Sequence, residues 1–457
     1  MGKIFHYLVF TFCLVVTVSP NAFGLAKQDR FIIGTWGDPR LALQTTAGDN
    51  AIFQHCRDAH FNLLTGQESV YEGDFERGVL TAAAGSIHWK IDRVAQVPGL
   101  RILLMDRRHT TNFGDSLTTC TPAKVTAIKT DVNGISNSNV VMGYTMMDEP
   151  HPGTQLTAVN TWVAEFNKQD PTRICYTNLL PFHKNATIFG DVETEAWAKY
   201  GDYVDAYINP KTSSVVSFDY YPFTSGGWNN DWGTTHYFRN LNLFSTKTTA
   251  NGTYFWAVPF TAVDPNYAPI TAINLRFSAF APIVYGAKGL IYYNYPLNNG
   301  GQGSDIYDWA KKINKQIETI GPLLMRLSWL GSYHQNVTDN GYTDCSFEPS
   351  LSTVPADLPL LKSFTSTGTS LMVGDFRIGT ESYLLVFNKN RTAAQNLTLE
   401  FKKPVPVWEL NKDTGVWTRL SASTTTIILT QTAAADMRIL RLANPIITPI
   451  INLLLGD

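Results

Sequence analysis

The feature that most restricts this chain is an alternation. Between Phe31 and about Trp329, eight short apolar runs recur, separated by stretches with helical spacing. The runs are Phe31–Trp36, Phe61–Thr65, Arg101–Met105, Val140–Met147, Ile174–Leu180, Val215–Phe218, Tyr254–Val258 and Leu290–Tyr293. In the stretch 157–168, Val159, Trp162, Val163 and Phe166 fall on one helical face, and 270–285 and 306–327 read the same way. Strand–helix alternation predicts a parallel sheet, because each crossover helix returns the chain to the same edge. Eight such units in about 300 residues predict a closed (β/α)8 barrel rather than an open doubly wound sheet. No Gly-x-Gly-x-x-Gly follows the first run, so no dinucleotide site is expected.

The pattern changes after Trp329. Short strand-like runs take over at 370–373, 383–387, 397–401, 405–408, 425–430 and 437–440, separated by turn formers such as Asn388-Lys-Asn390 and Asp413-Thr-Gly415. This predicts a small antiparallel β-sandwich over 330–457, behind a barrel over 25–329. Residues 1–24 read as a signal peptide: Lys3 supplies the positive end, 4–18 is almost wholly apolar, and Ala22-Phe23-Gly24 offers small residues for cleavage. A secreted or periplasmic protein is therefore expected. The apolar run is too short for a membrane span, and the tail 446–455 contains a proline and reads as a packed terminal segment. Cys56, Cys120, Cys175 and Cys345 follow the leader, an even number that suits an oxidising compartment; they can pair in three ways or stay reduced.

Composition narrows the partners. A chain 44% hydrophobic and 16% charged folds around a core, and a net charge of −2 gives no electrostatic reason to bind nucleic acid. No cofactor fingerprint and no Cys/His spacing for a metal is present. Nothing bears on oligomeric state.

In such a barrel, chemistry sits at the C-terminal ends of the strands. The residues that close or follow the runs are Trp36, Glu68, Asp106 with His109, Asp148 with Glu149, Asp219 with Tyr221, and Tyr293, while Asn178 lies in the fifth run and Trp256 in the seventh. Acids and aromatics dominate this rim. A carboxyl pair can protonate a leaving oxygen and attack an anomeric carbon or activate water, while aromatic rings seat the apolar face of a sugar. Asp148 and Glu149 are adjacent, so on a plain strand they diverge; Glu149, the longer arm, is taken as the one facing the cleft. Arg107-Arg108 could recognise an acidic sugar.

Gly143-Tyr-Thr-Met-Met-Asp-Glu-Pro150 resembles the strand-four motif of the clan of TIM-barrel glycoside hydrolases that includes family 42 β-galactosidases and family 5 cellulases and mannanases. Phe218-Asp-Tyr-Tyr-Pro222 is similar to that clan's strand-six segment. The resemblance implies a glycosidase acting on a poly- or oligosaccharide, with Glu149 as acid/base. Asp148 stands where the clan has Asn, and strand seven lacks the clan's nucleophilic Glu. Asp219 is the first substitute for the second carboxylate, with Glu68, Asp106 and Asp264 as the others. Trp36, Glu68, Asp106, His109, Asp148, Asn178, Tyr221, Trp256 and Tyr293 are the expected sugar-contacting residues. The alternative is a barrel that lost its nucleophile and only binds carbohydrate. A barrel hydrolase of non-sugar esters ranks lower, since no Gly-x-Ser-x-Gly is present.

Overall fold

The computed structural model describes residues 28–37, 46–66, 87–106, 108–111, 116–182, 187–190, 192–208, 215–223, 234–261, 270–293, 295, 303–335, 354, 358–368 and 370–442. Eight parallel strands close into a barrel: β1 (Ile32–Thr35), β2 (Leu63–Gly66), β3 (Arg101–Leu104), β4 (Val141–Asp148), β5 (Ile174–Leu179), β6 (Val215–Phe218), β7 (Tyr254–Ala257) and β8 (Gly289–Tyr292). Closure is made by β1 against β8, from Ile32 opposite Gly289 to Thr35 opposite Tyr292. Each strand coincides with one of the apolar runs read from the sequence.

A helix follows each strand: α1 (Thr46–Asp58), α2 (Ile87–Ala95), α3 (Pro122–Asn133), α4 (Thr154–Gln169), α5 (Glu193–Ile208), α6 (Thr234–Asn251), α7 (Ala272–Val284) and α8 (Asp305–Arg326). Local chemistry sets several starts. The Thr121 side chain accepts from the Lys124 amide ahead of Pro122, and Ser304 accepts from the Tyr307 amide. Strand side chains alternate. Ile33, Leu64, Ile102, Val216 and Leu290 pack outward against the helices, while Ile32, Leu63, Leu103, Ile174, Val215 and Ile291 fill the barrel.

Behind the barrel the described residues form seven antiparallel strands: β9 (Ser328–His334), β10 (Leu361–Ser366), β11 (Leu371–Ile378), β12 (Glu381–Asn388), β13 (Gln395–Leu410), β14 (Trp417–Thr432) and β15 (Met437–Leu442). They form one sheet rather than two separate layers. The long β13 pairs with β10 along its first half, with β15 along Val407–Leu410, and with β14 along both. The sheet folds over one apolar face, where Leu371, Val373, Val386 and Leu440 meet Phe364, Leu397, Leu399 and Val405. Its other face, carrying Met372, Phe376, Leu385, Phe387 and Ile439, joins the barrel's outer core.

Helix α7 is the seam. From Phe277 to Val284 every residue is buried, as expected for a helix covered on both sides. Phe277 meets Phe387 at 5.3 Å, and the Tyr285 hydroxyl bonds His334 Nε2 at 2.7 Å. A side chain on Gly374 would stand 2.4 Å from the Val284 carbonyl oxygen, so glycine is what lets β11 approach the helix end. Cys56 and Cys175 are buried in the strand–helix layer and Cys120 is half-buried. Cys345, the leader and the apolar tail lie outside the described residues. Among the described residues no helix is long and apolar enough to cross a membrane.

Candidate active site

The barrel mouth is built around the end of β4. Gly143, Tyr144 and Thr145 lie opposite Ile174, Cys175 and Tyr176 of β5, but the next matched pair is Asp148 with Asn178. β4 therefore spends three residues where β5 spends two, a β-bulge at Met146–Met147. Both methionines join the outer core, and Asp148 comes into the inward register. Glu149 would then point outward on a regular strand. Instead it has a φ of 43°, in the left-handed region, while its amide N–H donates to the Asn178 carbonyl at 2.9 Å. The kink returns its side chain to the mouth. The expectation that only one of the adjacent acids reaches the cleft is thus corrected: bulge and kink together bring both in.

Asn178 is the hub. Its Nδ2 donates to Asp148 Oδ1 at 3.1 Å and to Asp219 Oδ1 at 2.9 Å. Its Oδ1 accepts from Ser217 Oγ at 2.7 Å, which in turn lies 2.9 Å from the Tyr176 hydroxyl. Tyr221 donates its hydroxyl to Asp219 Oδ2 at 3.1 Å. The carboxyls of Glu149 and Asp219 hydrogen-bond each other.

Three carboxyls in one half-buried cluster cannot all ionise near neutrality. Burial and then the charge of Asp148 raise Glu149 to about 7. Burial and then the charge of Glu149 push Asp219 well above the usual carboxylate range. The pair holds a proton between its members. Adjoining them is an aromatic cluster. Trp36 lies 6.2 Å from both Tyr176 and Tyr293, Tyr221 stacks on Tyr293 at 5.5 Å, and Phe260 lies 4.8 Å from Tyr221. The arrangement can donate a proton at moderate pH beside a surface suited to a flat, partly apolar ligand.

Of the residues expected at the site, Glu149, Asp219, Asp148, Asn178, Trp36, Tyr221 and Tyr293 come together. Trp256 does not: it is fully buried, lies tilted against Tyr176 at 5.2 Å and donates Nε1–H to Gln28 Oε1 at 2.7 Å, so it plugs the barrel's N-terminal end. Asp106 is taken up by Arg108, with Nη2 2.5 Å from Oδ2 and Nε 2.9 Å from Oδ1. Arg108 also pairs with Asp131, so it is committed within the fold, while Arg107 lies outside the described residues. His109 is buried behind β4, its Nε2–H donating to the Thr145 carbonyl at 2.9 Å and its ring against Trp162 and Phe166. Burial lowers its pKa and holds it neutral. Glu68 and Asp264 lie outside the described residues. Tyr176 and Ser217 were missed, although their inward parity with Ile174 and Val215 would have marked them.

No family model matches the chain, and no curated protein matches it. Solved structures do. Gan42B, a GH42 β-galactosidase, aligns over 91% of this chain and 98% of its own, with a TM-score of 0.57 at 8% identity. The β-galactosidase of Bacillus circulans sp. alkalophilus gives 0.53 at 9% identity over 91% of this chain and 99% of its own. The cold-adapted β-galactosidase of Rahnella sp. R3 gives 0.50 at 7% identity over 92% and 99%. The likeness is one of fold: this chain has the barrel architecture of TIM-barrel glycoside hydrolases.

Proposed function

We propose that the protein is a secreted glycoside hydrolase that cleaves O-glycosidic bonds, with Glu149 as general acid and then general base. The observation that carries this reading is the hydrogen-bonded carboxyl pair Glu149–Asp219 at the barrel mouth, beside the aromatic rings of Trp36, Tyr221 and Tyr293. Protonated Glu149 delivers its proton to the leaving oxygen as the bond breaks; the resulting carboxylate then takes a proton from the incoming water. Asp219, in hydrogen-bond contact with Glu149, is closer than the roughly 5 Å or more that separates two carboxyls flanking a glycosidic bond. Its role is to hold and charge-tune Glu149 rather than to attack from the far side. The leader-like residues 1–24 support export.

One observation favours a second reading, a barrel that binds carbohydrate without cleaving it. The segment 254–261, which carries β7 to the mouth, contains no carboxylate. The deciding experiment is reducing-sugar release from a broad polysaccharide panel, run with the wild type and Glu149→Gln in parallel. Hydrolysis that falls at least about a hundredfold in the variant supports the acid. Equal rates in both remove Glu149 from that role. Binding to a polysaccharide without release by either protein favours the second reading.

A further inference from the structure

The described carboxyls all stand on one side of the cleft. Asp148 and Glu149 are consecutive, and Asp219 is bonded to Glu149 and, through Asn178, to the same anchor as Asp148. In the barrel order β4 lies across from β8 and β1. That far wall presents Tyr293 and Trp36, with Phe260 beside Tyr293, and no carboxylate among the described residues. A group attacking the anomeric carbon from opposite Glu149 is therefore missing from the described protein wall. What the acid's own side supplies is Asp148, a second carboxyl directly beside Glu149, its direction fixed by the bulge and by the Asn178 Nδ2 bond at 3.1 Å. A carboxylate beside the acid is misplaced for attack at C1 but well placed for the substituent on the neighbouring C2.

We propose that the substrate carries its own nucleophile: the site takes β-linked 2-acetamido-2-deoxyhexosides, with Asp148 holding the amide N–H while the amide oxygen attacks C1. The inference rests on the glycosidase reading of the same site. In the first step the acetamido oxygen forms a bond to C1, the C1–O bond to the leaving group breaks, and the Glu149 proton passes to the departing oxygen. The cyclised amide gains positive charge, which the Asp148 carboxylate offsets through the N–H hydrogen bond. In the second step Glu149 takes a proton from water, the water oxygen bonds to C1, and the C1–O bond of the cyclised amide breaks, restoring the acetamido group. The product retains its anomeric configuration. The aromatic wall of Trp36 and Tyr293 gives the acetyl methyl an apolar seat.

The test uses the full chain with 4-nitrophenyl glycosides of 2-acetamido-2-deoxyglucose and 2-acetamido-2-deoxygalactose, as both anomers, beside their 2-hydroxy counterparts. The expected result is release from the β-linked 2-acetamido compounds alone. Replacing the acetyl by trifluoroacetyl, which makes the amide oxygen a poorer nucleophile, abolishes release by the unaltered protein. Asp148→Asn, once shown to unfold at the wild-type temperature, loses about 10²–10³-fold in rate. Comparable cleavage of 2-hydroxy glycosides, lost in Glu149→Gln, overturns the inference and leaves the glycosidase reading standing. Polysaccharide hydrolysis without release from any 2-acetamido glycoside does the same. Inactivity on every substrate overturns both.

Discussion

The carboxyl of Asp219, at the end of β6, hydrogen-bonds the carboxyl of Glu149, two strands away at the end of β4. Glu149 can donate a proton only while it holds one, and its pKa is raised to about 7 by burial and by Asp148. The hydrolytic rate is therefore expected to fall as pH rises through about 7, tenfold per unit beyond it. A rate–pH profile checks this. A profile that falls instead above about pH 4.5, the ordinary value for such a carboxyl, would show that the pocket leaves Glu149 unshifted.

The same shift has a signature that needs no substrate. A carboxyl whose folded pKa exceeds its unfolded value binds more protons in the folded state, so stability declines as pH climbs between the two values, here 4.5 and about 7. Glu149→Gln removes that penalty. The variant should match the wild type near about pH 4 and exceed it above about pH 7 by roughly 1–3 kcal/mol. Denaturant unfolding at the two pH values measures it, and equal stability at both would count against a buried, proton-retaining Glu149.

Two tryptophans of the barrel interior should separate cleanly. Trp256 is fully buried beneath Tyr176, and Trp256→Ala should cost about 3–5 kcal/mol by opening a cavity. Trp36 is only half-buried at the mouth, so Trp36→Ala should unfold near the wild-type temperature yet weaken sugar binding. Thermal unfolding combined with binding or KM measurements distinguishes the floor from the wall.

Gly374→Ala tests the seam between barrel and β module. The added methyl would meet the Val284 carbonyl oxygen at 2.4 Å and the Phe376 ring at 2.7 Å. The backbone oxygen cannot step aside, so a loss of about 1–3 kcal/mol is expected, seen as a lower midpoint of unfolding.

Much of the fold was legible because apolar runs and helical spacing are set by burial alone. All eight barrel strands fall on runs visible in the sequence. The site was legible only where a residue's direction follows from its place at a strand end, as for Trp36, Asn178 and Tyr293. It was hidden where local geometry breaks alternation. In Val141–Met147 nearly every side chain is apolar, so the bulge at Met146–Met147 leaves no trace in the pattern, and with it went the inward turn of Asp148. Asp106 looked like a rim acid, but Arg108, two residues on, claims it. His109 looked like a sugar contact, but the chain after β3 doubles back and seats it behind β4. The sandwich pattern was visible, whereas the continuity of both layers through β13 depends on pairing register, which short strand-like runs do not encode.

Glu149 occupies a backbone conformation, φ 43°, that glycine adopts without strain and that costs a larger side chain on the order of 1–3 kcal/mol. Position 149 thus sets two selective pressures against each other. A library screened only for survival of heating should drift there toward glycine or asparagine, whereas one screened for sugar release should keep glutamate despite the strain. What a randomised codon at this one position becomes under each regime would separate what the fold asks of the residue from what the chemistry asks.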